Sequence, residues 1–127
     1  MTPLFNRKRY RYFTQSDFDN CTPPCKISDM DHGVMVMFDR ARDLAGIPFF
    51  VNSAYRTVEH ELSRGRSGDS AHTTGKAMDI RANASRNRFL IVDALLKVGF
   101  NRIGIARTFI HADYDQTKDD RVIWLYS

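Results

Sequence analysis

Ser70-Ala-His-Thr-Thr-Gly-Lys-Ala-Met-Asp-Ile-Arg81 changes character halfway along. Its first half closes a loop that begins at Arg64 and is rich in Gly and Ser. Its second half, Ala77–Arg81, alternates with period two and reads as a strand. Met78 and Ile80 then face one side and Asp79 the other, so a carboxylate leaves the apolar layer its neighbours join. Just upstream of it, His72 sits in a loop between Gly68 and Gly75.

Further along, Phe109-Ile-His-Ala-Asp-Tyr114 repeats the pattern. His111, Asp113 and Asp115 share the face opposite Ile110 and Ala112. Two strands of one sheet can thus present a carboxylate and an imidazole side by side. Ile103–Ala106 and Val122–Tyr126 are two more strand candidates. The short polar links among these three predict antiparallel pairing, because a parallel crossover needs a dozen or more residues.

Helices fill the rest. Ser28-Asp29-Met30-Asp31 resembles a helix start, with a hydroxyl three residues before a carboxylate. Val34, Met37, Phe38, Ala41, Leu44 and Ala45 follow at helical spacing, and Gly46 and Pro48 end the helix. Phe49–Val51 reads as a short buried strand, and Thr57 to Leu62 as a short helix. Ser85 is a candidate cap for a helix to Val98, apolar on most sides and therefore expected to be buried, with Gly99 as its stop. Residues 1–28 are polar and aromatic and are expected to form an N-terminal arm on a core of 29–127. The expectation is one small α+β domain spanning 1–127, an antiparallel sheet packed against helices.

The chain has 127 residues, 43% hydrophobic and 27% charged, which suits one domain that folds without disulfide staples. No stretch approaches the roughly 18 apolar residues of a membrane span, and a monomer is expected. Basic residues come early (Arg7, Lys8, Arg9, Arg11), but no apolar run follows, so synthesis in the cytoplasm without a signal peptide is expected. Cys21 and Cys25 have neither redox-motif nor zinc-knuckle spacing; free thiols are the reading, with a local disulfide as the alternative. A net charge of +4 suits an acidic partner: nucleic acid, a membrane surface or an anionic wall polymer. Asn6–Tyr12 interleaves cations with aromatics, as single-strand nucleic-acid binders do, although nothing downstream resembles a nucleic-acid module.

Zinc takes nitrogen and oxygen donors in a tetrahedron, and a catalytic site leaves one position for water, so three protein ligands suffice. His72, Asp79 and His111 offer such a set. Taken singly, each is as ordinary as a solvated strand edge or a turn carboxylate. Together, Ser70-Ala-His72-Thr-Thr-Gly75-Lys-Ala77-Met-Asp79-Ile80, Gly99-Phe100, Phe109-Ile-His111-Ala-Asp113 and the upstream Ser53-Ala-Tyr-Arg56-Thr57 resemble the zinc D-Ala-D-Ala metallopeptidases. That group also holds the lysostaphin-type peptidases and the hedgehog signalling domain. The resemblance runs from about Ile47 to the C-terminus and is strongest to short single-domain versions from bacteriophages and bacterial genomes.

The resemblance implies a zinc metallopeptidase acting on peptidoglycan stem peptides, as a D,D-carboxypeptidase or endopeptidase. It makes His72, Asp79 and His111 the zinc ligands. Arg56 would bind the substrate carbonyl or the anionic intermediate, and Ser70 would bind substrate or orient the loop carrying His72. Gly75 would let the chain turn between ligands. Many relatives carry an acidic residue three before the last histidine, or a second histidine two before it. Those places hold Thr108 and Phe109. Asp113 is the nearest substitute for the general base, with a role orienting a ligand histidine equally open; Glu59, Glu61 and His60 are further candidates. His32 is expected at the surface. Two other functions compete: a zinc-binding module without catalysis, and a basic nucleic-acid-binding accessory protein. A wall-degrading enzyme lacking a signal peptide would act after release from the cell, in phage lysis, or from a virion during entry.

Overall fold

A computed structural model describes residues 10–126. The elements are α1 (Ser16–Asp19), α2 (His32–Ala45), β1 (Val51–Ser53), α3 (Val58–Ser63), β2 (Ala77–Arg81), α4 (Ser85–Val98), β3 (Arg102–Ile105), β4 (Phe109–Asp113) and β5 (Val122–Leu125). Short 3-10 turns occupy Ile27–Asp29 and Ala71–Thr74. The architecture is α+β, as expected. Among the described residues no helix is long and apolar enough to cross a membrane.

The five strands form one sheet in the order β1-β2-β4-β3-β5. All pairs are antiparallel except β3 with β5, which run parallel. The antiparallel expectation therefore fails at β5. The chain leaves β3, returns along β4, and reaches β5 on the far edge of β3. The connection from β3 to β5 thus contains a whole strand and is long enough for a parallel crossover.

Alternation along the strands sorts the sheet into two faces. Met78, Ile80, Ile103, Ile110 and Ala112 are buried in the core with Phe38 of α2 and Ile91, Ala94 and Leu95 of α4. Phe38 and Phe100 stack at 4.4 Å between centroids. The stretch expected to be an arm supplies Tyr10, Phe13, Phe18 and Cys21 to this same core. Within the basic aromatic cluster, residues 6–9 lie outside the described residues. Cys21 and Cys25 are free thiols.

Local chemistry explains the helix ends. Asp31, not Ser28, caps α2, accepting the Val34 N–H at 2.9 Å. Ser28 lies in the preceding 3-10 turn, where Asp29 accepts the Lys26 N–H. Thr57 caps α3 through the His60 N–H, so the short helix expected from Thr57 to Leu62 runs from Val58 to Ser63. Ser85 is the first residue of α4, and Ala84 precedes it without a side-chain cap. On α4 only one stripe is buried; Phe89 is 68% exposed, so the helix is not buried all round. Leu44 also lies off the buried stripe of α2 and is exposed. Phe49 is buried but precedes β1, which starts at Val51, and Phe50 turns outward to lie under the Arg81 guanidinium at 4.6 Å.

Candidate metal centre

The polar face of the sheet carries the site. Asp79 on β2 and His111 on β4 are direct register partners, so strand pairing alone sets the two side chains beside each other. His72 arrives from the 3-10 turn Ala71–Thr74. Ser70 caps that turn, its Oγ accepting the His72 N–H at 3.2 Å, while Thr73 Oγ1 donates to the Ser70 carbonyl at 2.6 Å. Gly75 ends the turn with φ +71°, and a Cβ there would lie 2.5 Å from the Asp29 carbonyl oxygen. Glycine is required on both counts, and the turn is thereby pressed against the start of α2.

His72 Nε2 lies 3.3 Å from Asp79 Oδ1, and His111 Nδ1 lies 2.8 Å from the same oxygen. The donor atoms of all three residues fall within 4.8 Å of one another. A tetrahedral ion with bonds of about 2.1 Å holds its ligand atoms about 3.4 Å apart. His72 and Asp79 already match that spacing, whereas His111 Nδ1 and Asp79 Oδ1 lie closer than it and would move apart around an ion.

The far side of each imidazole is tied down. His72 Nδ1 is 2.6 Å from the Ala54 carbonyl and can only donate to it, so in the neutral ring Nε2, on the side of Asp79, carries the lone pair that would bind a metal. His111 Nε2 is 2.7 Å from Asp113 Oδ2, which likewise leaves Nδ1 for the site. Asp113 Oδ1 accepts from Arg102 Nε at 2.7 Å and from the Asp115 backbone N–H. Such bonds fix tautomer and ring orientation and raise a ligand's basicity. The donor set therefore fits zinc.

Burial and charge agree. Burial pushes Asp79 up, yet hydrogen bonds from His111 and His72 outweigh it and hold the carboxyl well below its usual range. Burial pulls His111 down, but its bonds to Asp113 and Asp79 more than reverse this and raise it. Asp113, raised by burial, is lowered overall by its bond to His111.

Arg56 stands beside this group. Its backbone N–H donates to the His72 carbonyl at 3.1 Å, and its Nη1 donates to Ser53 Oγ at 3.3 Å. Its Nε lies 3.2 Å from Glu61, a fully buried carboxylate whose other oxygen is 2.6 Å from Arg66. Burial lowers the Arg56 pKa from its ordinary value, opposed by Glu61 and Asp79. Among the remaining candidates, Glu59 is exposed and His60 half-buried on α3. His32 is exposed, as expected, with its Nδ1 2.8 Å from the Tyr10 hydroxyl.

Several neighbours carried no sequence motif. Arg102 and the Ala54 carbonyl orient the imidazoles from outside. Trp124 packs on His111 at 5.4 Å, and Tyr126 on Phe109 at 5.1 Å. Alternation along Val122–Tyr126 does put both rings on one face, and Gly104 in the facing strand leaves them room.

No curated protein sequence matches the chain. The family model for Peptidase M15 matches residues 12–113, starting well upstream of Ile47 and ending at the last residue of β4. That match covers most of the described residues and includes all three donors around Asp79 Oδ1, so the chain belongs to the Peptidase M15 family of zinc D-Ala-D-Ala metallopeptidases.

Proposed function

We propose that the protein hydrolyses an amide bond in peptidoglycan stem peptides, as a D,D-carboxypeptidase or endopeptidase, with zinc held by His72, Asp79 and His111. One observation carries this: two imidazoles whose outer nitrogens are already bonded converge on one carboxylate oxygen. When bound, zinc supplies a Lewis acid for a carbonyl oxygen and activates water at neutral pH. The chain's own residues do the rest. Asp113 holds His111 in the ligating tautomer, anchored in turn by Arg102. Ser70 holds the His72 turn through the His72 N–H. Arg56, kept in place by Glu61 and Ser53, offers Nη atoms to a substrate carbonyl or carboxylate; a guanidinium stays charged when buried and donates in a planar fork. The net charge of +4 suits an anionic wall polymer.

A second reading, a zinc-binding module without catalysis, is favoured by one feature. Thr108 and Phe109 offer no proton acceptor, and the oxygens of Asp113 and Glu61 are engaged by His111, Arg102, Arg56 and Arg66. Zinc-loaded protein incubated with cross-linked muropeptides and with D-Ala-D-Ala peptides separates the two. The peptidase reading expects new amines or free D-Ala, lost in His72→Ala and His111→Ala together with the metal. One zinc per chain with no release from any of these substrates supports the module and overturns the peptidase.

A further inference from the structure

Trp124 and Tyr126 build an aromatic wall along one side of the metal centre, beyond the residues matched by the family model. Both rings lie directly over Gly104. A Cβ at that position would sit 2.6 Å from Trp124 Nε1 and 2.6 Å from Tyr126 Cε2. Gly104 is the register partner of His111 on one side and of Trp124 on the other, so the missing side chain brings the wall down onto the ligand's flank. The Trp124 ring lies 5.4 Å from the His111 ring. The Tyr126 ring meets Phe109, two residues before His111 on the same face, at 5.1 Å. The Tyr126 backbone N–H donates to the Ile105 carbonyl at 2.9 Å, which fixes the strand end under the ring.

Cε2 is bonded to the carbon that carries the hydroxyl, so the hydroxyl end of the ring lies over Gly104, the register partner of His111. Burial raises the phenol above its ordinary value, helped by the charges of Asp79 and Asp113, so it keeps its proton at neutral pH. A phenol O–H is a donor that can turn about its C–O bond toward an acceptor. The ring is anchored by packing on Phe109 and Trp124 while a substantial part of it stays open to solvent. A preorganised donor beside a site that develops negative charge is the arrangement that lowers a barrier without reorganisation.

We propose that Tyr126 is a catalytic residue whose phenol O–H donates a hydrogen bond to the scissile carbonyl oxygen as that oxygen gains negative charge, sharing the task with Arg56. The proton stays on the phenol throughout. The inference rests on the peptidase reading and adds a donor to it.

Tyr126→Phe tests it, because the ring and its packing remain while the O–H goes. The expected result is a kcat lowered about 10²-fold with KM within about twofold, zinc content unchanged, and weaker binding of a phosphinate dipeptide by a similar factor. Phosphinate affinity, measured by calorimetry on the zinc-loaded protein, is a readout that packing alone would not move. Wild-type kcat and wild-type phosphinate affinity in the variant would overturn the assignment and leave the ring as packing. Loss of zinc in the variant would also overturn it, showing that the ring supports the ligands rather than the substrate. If the wild-type protein neither cleaves nor binds the phosphinate, the peptidase reading fails and Tyr126 with it, and that failure is visible before any variant is made.

Discussion

Asp113 shows how much a single side chain settles. Its two oxygens bridge His111 Nε2 and Arg102 Nε, each at 2.7 Å, so it acts across the imidazole from Asp79 rather than beside it. Asp113→Asn keeps the volume and removes the charge, and should lower zinc affinity about tenfold or more. Trp124 is the sole tryptophan and lies 5.4 Å from the His111 ring, so its emission reports the titration; an unchanged affinity contradicts the orienting role. Glu61 makes the second case. It is fully buried between Arg56 and Arg66, and Glu61→Gln should cost about 3 kcal/mol in denaturant unfolding, because a charge is left without its counter-ion. A cost below ~1 kcal/mol would show that the buried pair contributes little. His72, Asp79 and His111 were legible as a candidate zinc set through the resemblance of their motifs, taken together with Ser53–Thr57, to the metallopeptidases; singly each reads as a turn or strand-edge residue. Arg102 was not legible, since its partner lies across a strand pair. The Ala54 carbonyl was not legible either, because a backbone group leaves no mark in the choice of residue.

At the level of elements, alternation and the glycines that end helices carried most of the information, while the caps read at Ser28 and Ser85 were misplaced. The period-two run announced β2, and Gly46 and Gly99 stopped α2 and α4 in left-handed conformation. Strand order is different in kind. Nothing local in Val122–Leu125 says that it lies parallel to β3 rather than antiparallel to β4, because that choice depends on which sheet edge is open. The close seating of β5 depends on Gly104. Gly104→Ala must displace Trp124 and Tyr126 or bend the strand, and should destabilise the fold by about 1–3 kcal/mol. The same substitution should red-shift Trp124 emission as the indole leaves His111. Wild-type stability with unshifted emission would mean that the wall tolerates a methyl group and is not pinned at that point.

Across the whole molecule, the sheet divides the work: one face is fused to α2 and α4 by apolar packing, and the other gathers charge around Asp79. The metal-free protein then carries a defined pH signature. His111 is raised above its unfolded value of about 6.5, so its contribution is complete below that pH and is lost as pH rises through the folded value. Asp79 and Asp113 are lowered, so their contributions are present above the unfolded value of about 3.9 and are lost as pH falls through the folded values. With a chelator present, the melting temperature should therefore fall as pH is raised from about 6.5, and zinc should restore it, since binding requires the imidazole without that proton. A melting temperature that stays level or climbs over that interval would contradict the pairing of His111 with two carboxylates. The most direct test of the zinc assignment is a crystal structure of the zinc-loaded protein with anomalous data at the zinc edge. It should show one ion per chain, about 2.0–2.2 Å from His72 Nε2, Asp79 Oδ1 and His111 Nδ1, with at least one position left to solvent. An anomalous peak elsewhere, or an ion closed off by a fourth protein ligand, would contradict it.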